Sequence, residues 1–193
     1  MPKTSSLNKP VATLNASKQK NWIREARILL EISKRISAQK TLDDIFKTLL
    51  EMCITELNSE RGTLFLNDSD TEELYSRFMQ GSVQREIRVM NNSGIAGYVY
   101  NSGESVITDN PYSNPHFNSS VDEQTGFVTR NMLCVPVRTA KGDIIGVAQM
   151  LNKLDGEYSQ NDLSLFEAMT SQAALALESA QLIERIQALR LQE

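Results

Sequence analysis

The residues best suited to handling a small polar molecule lie between Gly94 and Lys153. That stretch opens with GIAGYVYNSGES, crosses the polar segment DNPYSNPHFNSSVDEQTGFVTR and closes with NMLCVPVRTAKGDIIGVAQMLNK. Aromatics, threonines and the paired acids Asp122 and Glu123 are gathered there between two apolar runs. Such a mixture suits a wall and a lid around a polar guest better than it suits catalysis. His116 is the only histidine, so no His-rich zinc or iron site can be assembled. Cys53 and Cys134 fall on apolar positions without CxxC spacing, and read as buried free thiols. The chain shows no P-loop, no GxSxG, no kinase signature and no cyclase-type metal-binding pair of acids, which points away from an enzyme.

Length and composition set the frame for these residues. With 193 residues, 40% hydrophobic and 23% charged, the chain suits one well-buried domain with helical extensions. No apolar run approaches the roughly 18 residues a membrane span requires, and MPKTSSLNKP lacks a signal-peptide core. A cytoplasmic location without a membrane partner is therefore expected. The first 40 residues hold nine Lys and Arg against Glu25 and Glu31, and the remainder is acidic. Aromatic interleaving in that basic part is limited to Trp22, so it reads as a solvated leader and helix face, and no nucleic-acid partner is expected.

The elements that must position the 94–153 stretch follow from periodicity. Residues 1–16 are polar and aperiodic and read as a disordered lead-in. Residues 17–40 read as a helix in which Trp22, Leu29 and Ile36 recur every seven residues, with Ala26 and Ser33 between them and Ile23, Leu30 and Ile32 widening the stripe. Thr41 in TLDD resembles a capping box, and Leu42, Ile45, Phe46, Leu49, Leu50, Cys53, Ile54 and Leu57 follow helical spacing. Strands are expected at 61–67, 74–78, 86–90, 105–109, 131–137 and 143–152, with a short helix over 94–102. Pro136 inside a strand calls for an edge position or a bulge. Ser159 and Asp162 cap a last helix. Its first half should cover the sheet, and its second half carries Leu175, Ser179, Leu182, Ile186 and Leu189 as a short coiled-coil seam. The fold class is therefore α+β: about six antiparallel strands, helices packed on one face, a lid on the other, and long terminal helices.

Four segments carry a resemblance: SERGTLFL (59–66), GIAG (94–97), VDEQTGFVTRNMLCVPV (121–137) and IIGVAQMLNK (144–153). With the order of elements, they resemble a GAF domain over residues 41–178, most closely those of cyclic-nucleotide phosphodiesterases and cyanobacterial adenylyl cyclases. The family's NK…F…DE signature is kept as Asn152, Lys153 and Asp162, with Tyr158 and Leu163 in the other two places. On that division, residues 1–16 lead in, 17–40 form a dimerisation or linker helix, and 179–193 extend the last helix as a signalling coiled coil.

The resemblance implies a cyclic nucleotide buried between sheet and lid, and no catalytic residue. It implies contacts from Arg61, Thr63, Phe78, the Ile95–Ala96 backbone, Asp122, Thr125, Thr129 and Gln149, and a structural ion pair between Lys153 and Asp162. Phe78 would stack on or flank the base, and the amides opening the 94–102 helix would hold the cyclic phosphate. Guanine-preferring members tend to carry an acid at the position of Met79, which favours cAMP over cGMP here. Bilin attachment is disfavoured because 109–129 holds no cysteine. Methionine sulfoxide reduction would need more than two distant cysteines, and haem or iron sensing more histidines. A homodimer through the terminal helices, relaying occupancy to an effector, completes the expectation. The alternative is a dimerisation or interaction module with a vestigial pocket, or a different small ligand.

Overall fold

The computed structural model describes residues 9–80 and 83–190, with side chains described over the same ranges except at 9–20, 77–80, 83–85, 121, 124 and 125. In chain order the elements are α1 (Lys9–Ser37), α2 (Leu42–Glu56), β1 (Ser59–Asp68), β2 (Glu73–Gln80), β3 (Val83–Met90), α3 (Gly94–Ser102) and β4 (Val106–Thr108). A single 3-10 turn (Pro111–Ser113), α4 (Ser120–Thr125), β5 (Met132–Arg138), β6 (Ile144–Lys153) and α5 (Gln160–Arg190) follow.

Alternation along β1 decides how the layers form. Leu64 and Leu66 are fully buried on one face, while Arg61, Thr63 and Phe65 point to the other. The six strands make one sheet in the order β3-β2-β1-β6-β5-β4. Every pairing is antiparallel. Against the Leu64 face pack α2 and α5, with α1 on α5. Phe46, Leu49, Cys53, Leu133, Met150, Phe166 and Met169 fill this helix-side core. A second core of Phe65, Leu74, Met132, Cys134, Val147 and Leu151, closed by Ile95, Ala96 and Val99 of α3, lies on the opposite face. The expected α+β architecture is the observed one.

Local chemistry sets the helix ends. Thr41 accepts the Asp44 N–H at 3.2 Å and donates its hydroxyl to the Asp44 carboxylate at 2.6 Å. Ser159 and Asp162 form a reciprocal box, Ser159 N to Asp162 Oδ2 at 2.8 Å and Asp162 N to Ser159 Oγ at 3.2 Å. Pro136 pairs with Val147 and lies beyond the last pairing of β4 (Val106 with Cys134). It is thus at a local edge, and the register shifts just after it, between Val137 and Arg138.

One expectation needs correction. The lead-in is helical from Lys9, eight residues before the expected start; residues 1–8 lie outside the described ones. Pro10 sits in the first turn, where its missing N–H costs no bond, and helix-forming residues follow. The inward face of α1 is Ile28, Ile32 and Ile36, with Leu29 half-buried beside them. Trp22 is 69% exposed, because the four-residue spacing of the isoleucines and not the seven-residue repeat meets α5. Leu175, Leu182, Ile186 and Leu189, the expected seam of α5, are exposed in the single chain. The lid contains the short helix α4.

Candidate functional site

The lid-side face of the sheet is an apolar wall crossed by one polar row. Thr63 of β1 pairs with Gln149 of β6, and Gln149 pairs with Cys134 of β5, so the three side chains stand abreast. Arg61, Leu151 and Met132 form the next row on the same face. Gln149 is 9% exposed, and its Nε2 points at Cys134 Sγ (3.6 Å) and Met132 Sδ (4.0 Å). Sulfur is a weak acceptor, so this buried amide is poorly matched within the fold. Burial pushes the Cys134 thiol up to about 12, with the Gln149 contact opposing, so it stays protonated at neutral pH.

One edge of the face is closed by α3. Ile95 and Ala96 are buried at its start, and Ser93 makes no side-chain cap. The first-turn amides are therefore not consumed by that serine. Gly94 has a φ of 70°, which a glycine adopts without strain. Gly97 is required by close approach: a Cβ there would stand 2.5 Å from the backbone carbon of Asn92.

The lid folds over the face and bonds to itself. Asp122 in α4 is buried and accepts three hydrogen bonds, from Thr129 N (2.7 Å), Thr129 Oγ1 (2.9 Å) and Tyr112 Oη (2.8 Å). The Asp122 bond raises the Tyr112 phenol above its ordinary value, aided by burial and the neighbouring charge. Phe127 drops onto the Arg61 guanidinium, whose central carbon lies 4.1 Å from the ring centroid. His116 stacks on Tyr98 of α3 at 4.3 Å, and Tyr112 meets Phe117 edge-on at 5.0 Å.

Asn152 ties the end of the lid to β6. Its Nδ2 donates to Val128 O (2.9 Å) and Glu60 Oε2 (3.0 Å), and its Oδ1 accepts the Arg130 N–H at 2.7 Å. It is buried with a φ of 57°. Arg130 also pairs with Glu60 at 3.0 Å, leaving Arg61 to the Phe127 ring.

Of the nine positions expected to meet a ligand, the fold brings Arg61, Thr63, Gln149, Ile95 and Ala96 to one face. Asp122 and Thr129 sit above it but are bonded to each other. The side chains of Phe78, Thr125 and Met79 lie outside the described ones. Lys153 Nζ is 2.9 Å from Asp162 Oδ1 and also donates to Leu57 O, tying β6 to the helix side of the domain. Sequence reasoning passed over Tyr112, Phe127 and Asn152. The first two were legible only as lid aromatics, and Asn152 only as half of an Asn-Lys pair. An open groove of about 760 Å³ runs along the outer side of α3, between Ser93, Tyr98, Asn101 and the Pro115–His116 segment. None of the nine expected positions lines it. Among the described residues, no helix is long and apolar enough to cross a membrane, and no cluster of His, Cys, Asp and Glu is arranged to hold a metal ion.

A family model described as the GAF domain matches residues 39–178, from just before the Thr41 cap to the last buried turn of α5. The chain belongs to the GAF family. It is similar to a probable 3',5'-cyclic phosphodiesterase, pde-5, of Caenorhabditis elegans, with 31% identity over 185 residues, covering 89% of this chain and 25% of that protein. It is similar also to the dual 3',5'-cyclic-AMP and -GMP phosphodiesterase 11 of Drosophila melanogaster, 33% identical over 180 residues, covering 84% of this chain and 12% of that protein. The chain thus spans a quarter or less of the curated relatives it matches. Among solved structures, the GAF domain of an Acinetobacter phosphoenolpyruvate-protein phosphotransferase superposes with a TM-score of 0.70 at 17% identity, over 84% of this chain and 98% of that one. This likeness establishes the GAF fold. Kinship with phosphodiesterase GAF domains is consistent with a regulatory sensor role for this one.

Proposed function

We propose that this GAF domain binds a cyclic nucleotide, cAMP in preference to cGMP, between the lid and the Thr63–Gln149 face, and that occupancy biases a signalling effector through the flanking helices. The observation that carries the reading is Gln149. A buried amide whose nitrogen, among the described residues, meets only sulfur inside an apolar wall gains most from a partner with a hydrogen-bonding edge, and a purine offers one. Thr63 beside it adds a hydroxyl, Arg61 and Phe127 offer a planar surface at the mouth, and the α3 amides suit a phosphate. Asp122 and Thr129 would hold the lid shut over the guest. Met79 gives no acceptor for the N1–H and 2-amino donors of guanine, which favours adenine.

The exposed apolar residues Trp22, Leu30, Leu182, Ile186 and Leu189 support a homodimer through α1 and α5, with burial of that stripe as the driving force. A ligand that binds one helix arrangement better than another would shift the equilibrium between them. The mutual bonding of Asp122 and Thr129 favours the second reading, an interaction module whose pocket is vestigial, since both groups are satisfied within the chain.

Titration calorimetry with cAMP and cGMP separates the two. The sensor reading expects heat and a thermal upshift with cAMP, and a preference moved towards cGMP in Met79→Asp. Silence with both nucleotides well above micromolar concentration removes it.

A further inference from the structure

Two elements reach the end of the β1–β2 hairpin from different sides. From α3, Asn101 Nδ2 donates to Asn91 O at 2.6 Å and to Gly97 O at 2.9 Å. Asn91, in the turn between β3 and α3, donates its backbone N–H to Glu72 O at 3.0 Å and its Nδ2 to Asn67 Oδ1 at 3.3 Å. From α5, Gln181 Nε2 donates to Asn67 O at 2.8 Å and Tyr75 Oη at 3.2 Å. Arg185 reaches the hairpin tip at Asp70 (2.6 Å) and Ser69 (3.2 Å). We propose that this hairpin end is a mechanical relay, in which movement of α3 is passed through Asn101, Asn91 and Asn67 to Gln181 and so to the far half of α5.

Three features make the linkage stiff enough to transmit. The turn and α3 are in backbone contact at Gly97, where a Cβ would stand 2.5 Å from the Asn92 carbon and 3.1 Å from Asn91 O, so neither slides without the other. The hairpin is braced by Arg88, which bonds Asp68 and Glu73 at 3.0 Å and Glu86 at 2.6 Å; the Asp68 and Glu86 bonds raise its pKa further above an already high value. Past Leu177, no described side chain of α5 is fully buried; Ala180 still packs partly buried against the helix-side core, and Gln181 and Arg185 bond this part of α5 to the hairpin. Of these two, Arg185 and Asp70 are more than half exposed and their attraction is screened, while the Gln181 bonds are partly buried. Of the two links to the hairpin, Gln181 is therefore the stronger.

The proposal rests on the reading that a guest acts at α3, but the linkage is testable without one. In hydrogen exchange on the full chain, Asn101→Ala should speed exchange at 178–190 at least threefold although it lies outside α5. In a Gln181→Ala background the same change should add nothing. Exchange there that is untouched by Asn101→Ala, or two effects that simply multiply, overturns the relay. Asn91→Ala, which removes only the side-chain bond to Asn67, serves the same test should Asn101→Ala fail to fold. With cAMP present, wild type should bind and alter exchange at 178–190, whereas Gln181→Ala should bind within twofold of wild type yet show no such change. An intact change in Gln181→Ala overturns the relay. If wild type takes up no cAMP, the proposed function fails, while the ligand-free comparison still decides the linkage.

Discussion

Thr129 gives both its amide and its hydroxyl to the two carboxylate oxygens of Asp122, at 2.7 and 2.9 Å. The pair, seven positions apart, closes this part of the lid on itself, and Tyr112 adds a third donor from the 3-10 turn. Asp122→Ala would leave these donors without an acceptor, two of them on buried Thr129, at a cost of about 2–3 kcal/mol. Thr129→Val removes one bond and should cost about 1 kcal/mol. Denaturant melts give the order, and hydrogen exchange should rise across 109–130 before it rises in α2 or α5. Should the whole domain loosen together, the latch is not local.

The Arg61–Phe127 contact is expected to hold the mouth of the lid weakly. A double-mutant cycle on Arg61→Ala and Phe127→Ala should give a coupling of about 0.5–1 kcal/mol, because the guanidinium remains largely in water. Zero coupling would make the stack incidental.

Neither thiol should react with a disulfide reagent in the folded protein at pH 8. Burial raises both, Cys134 to about 12 and Cys53 further, with the Glu56 charge adding to the latter. Opening the lid with Asp122→Ala should release Cys134 selectively, since Cys53 lies in the helix-side core. Equal release of both would indicate global unfolding.

Acid should erode the junction between β6 and α5. Burial pulls Asp162 up, but the hydrogen bonds from Lys153 and Ser159 outweigh it and hold its carboxyl below the ordinary range. A carboxyl depressed in the folded state contributes stability above its unfolded pKa, and that contribution is lost as pH falls through the folded value. Wild type should therefore lose stability faster than Asp162→Asn below about pH 4. Parallel curves for the two proteins would show that the pair contributes nothing.

Asn152 combines a positive φ with three side-chain hydrogen bonds. Asn152→Ala should cost about 2–4 kcal/mol, and Asn152→Gly about 1 kcal/mol less, because glycine tolerates the left-handed backbone. Thermal melts that rank the two variants in the opposite order would locate the cost in side-chain packing and not in the backbone.

The layers were legible in the chain because alternation is local. Leu64 and Leu66 against Thr63 and Phe65 assign the two faces of β1 without any knowledge of the partner strands. The same holds for the caps at Thr41 and Ser159, where donor and acceptor are three residues apart. What escaped was choice among distant partners. Nothing in the spacing says that Asp122 bonds Thr129 and Tyr112 before any guest, or that Arg130 takes Glu60 and leaves Arg61 to Phe127. On α1 the apolar residues cover a broad arc, and only the position of α5 turns Ile28, Ile32 and Ile36 inward and leaves Trp22 outside.

Among the described residues, the two apolar cores on opposite faces of the sheet share no side chain. Substitutions around Met132, Cys134 and Val147 can thus change what the lid side accepts without repacking Phe46, Phe166 or Met169. A domain built this way can explore new chemistry on one face while the other continues to guarantee folding. That separation would let one scaffold acquire many specificities through small mutational steps.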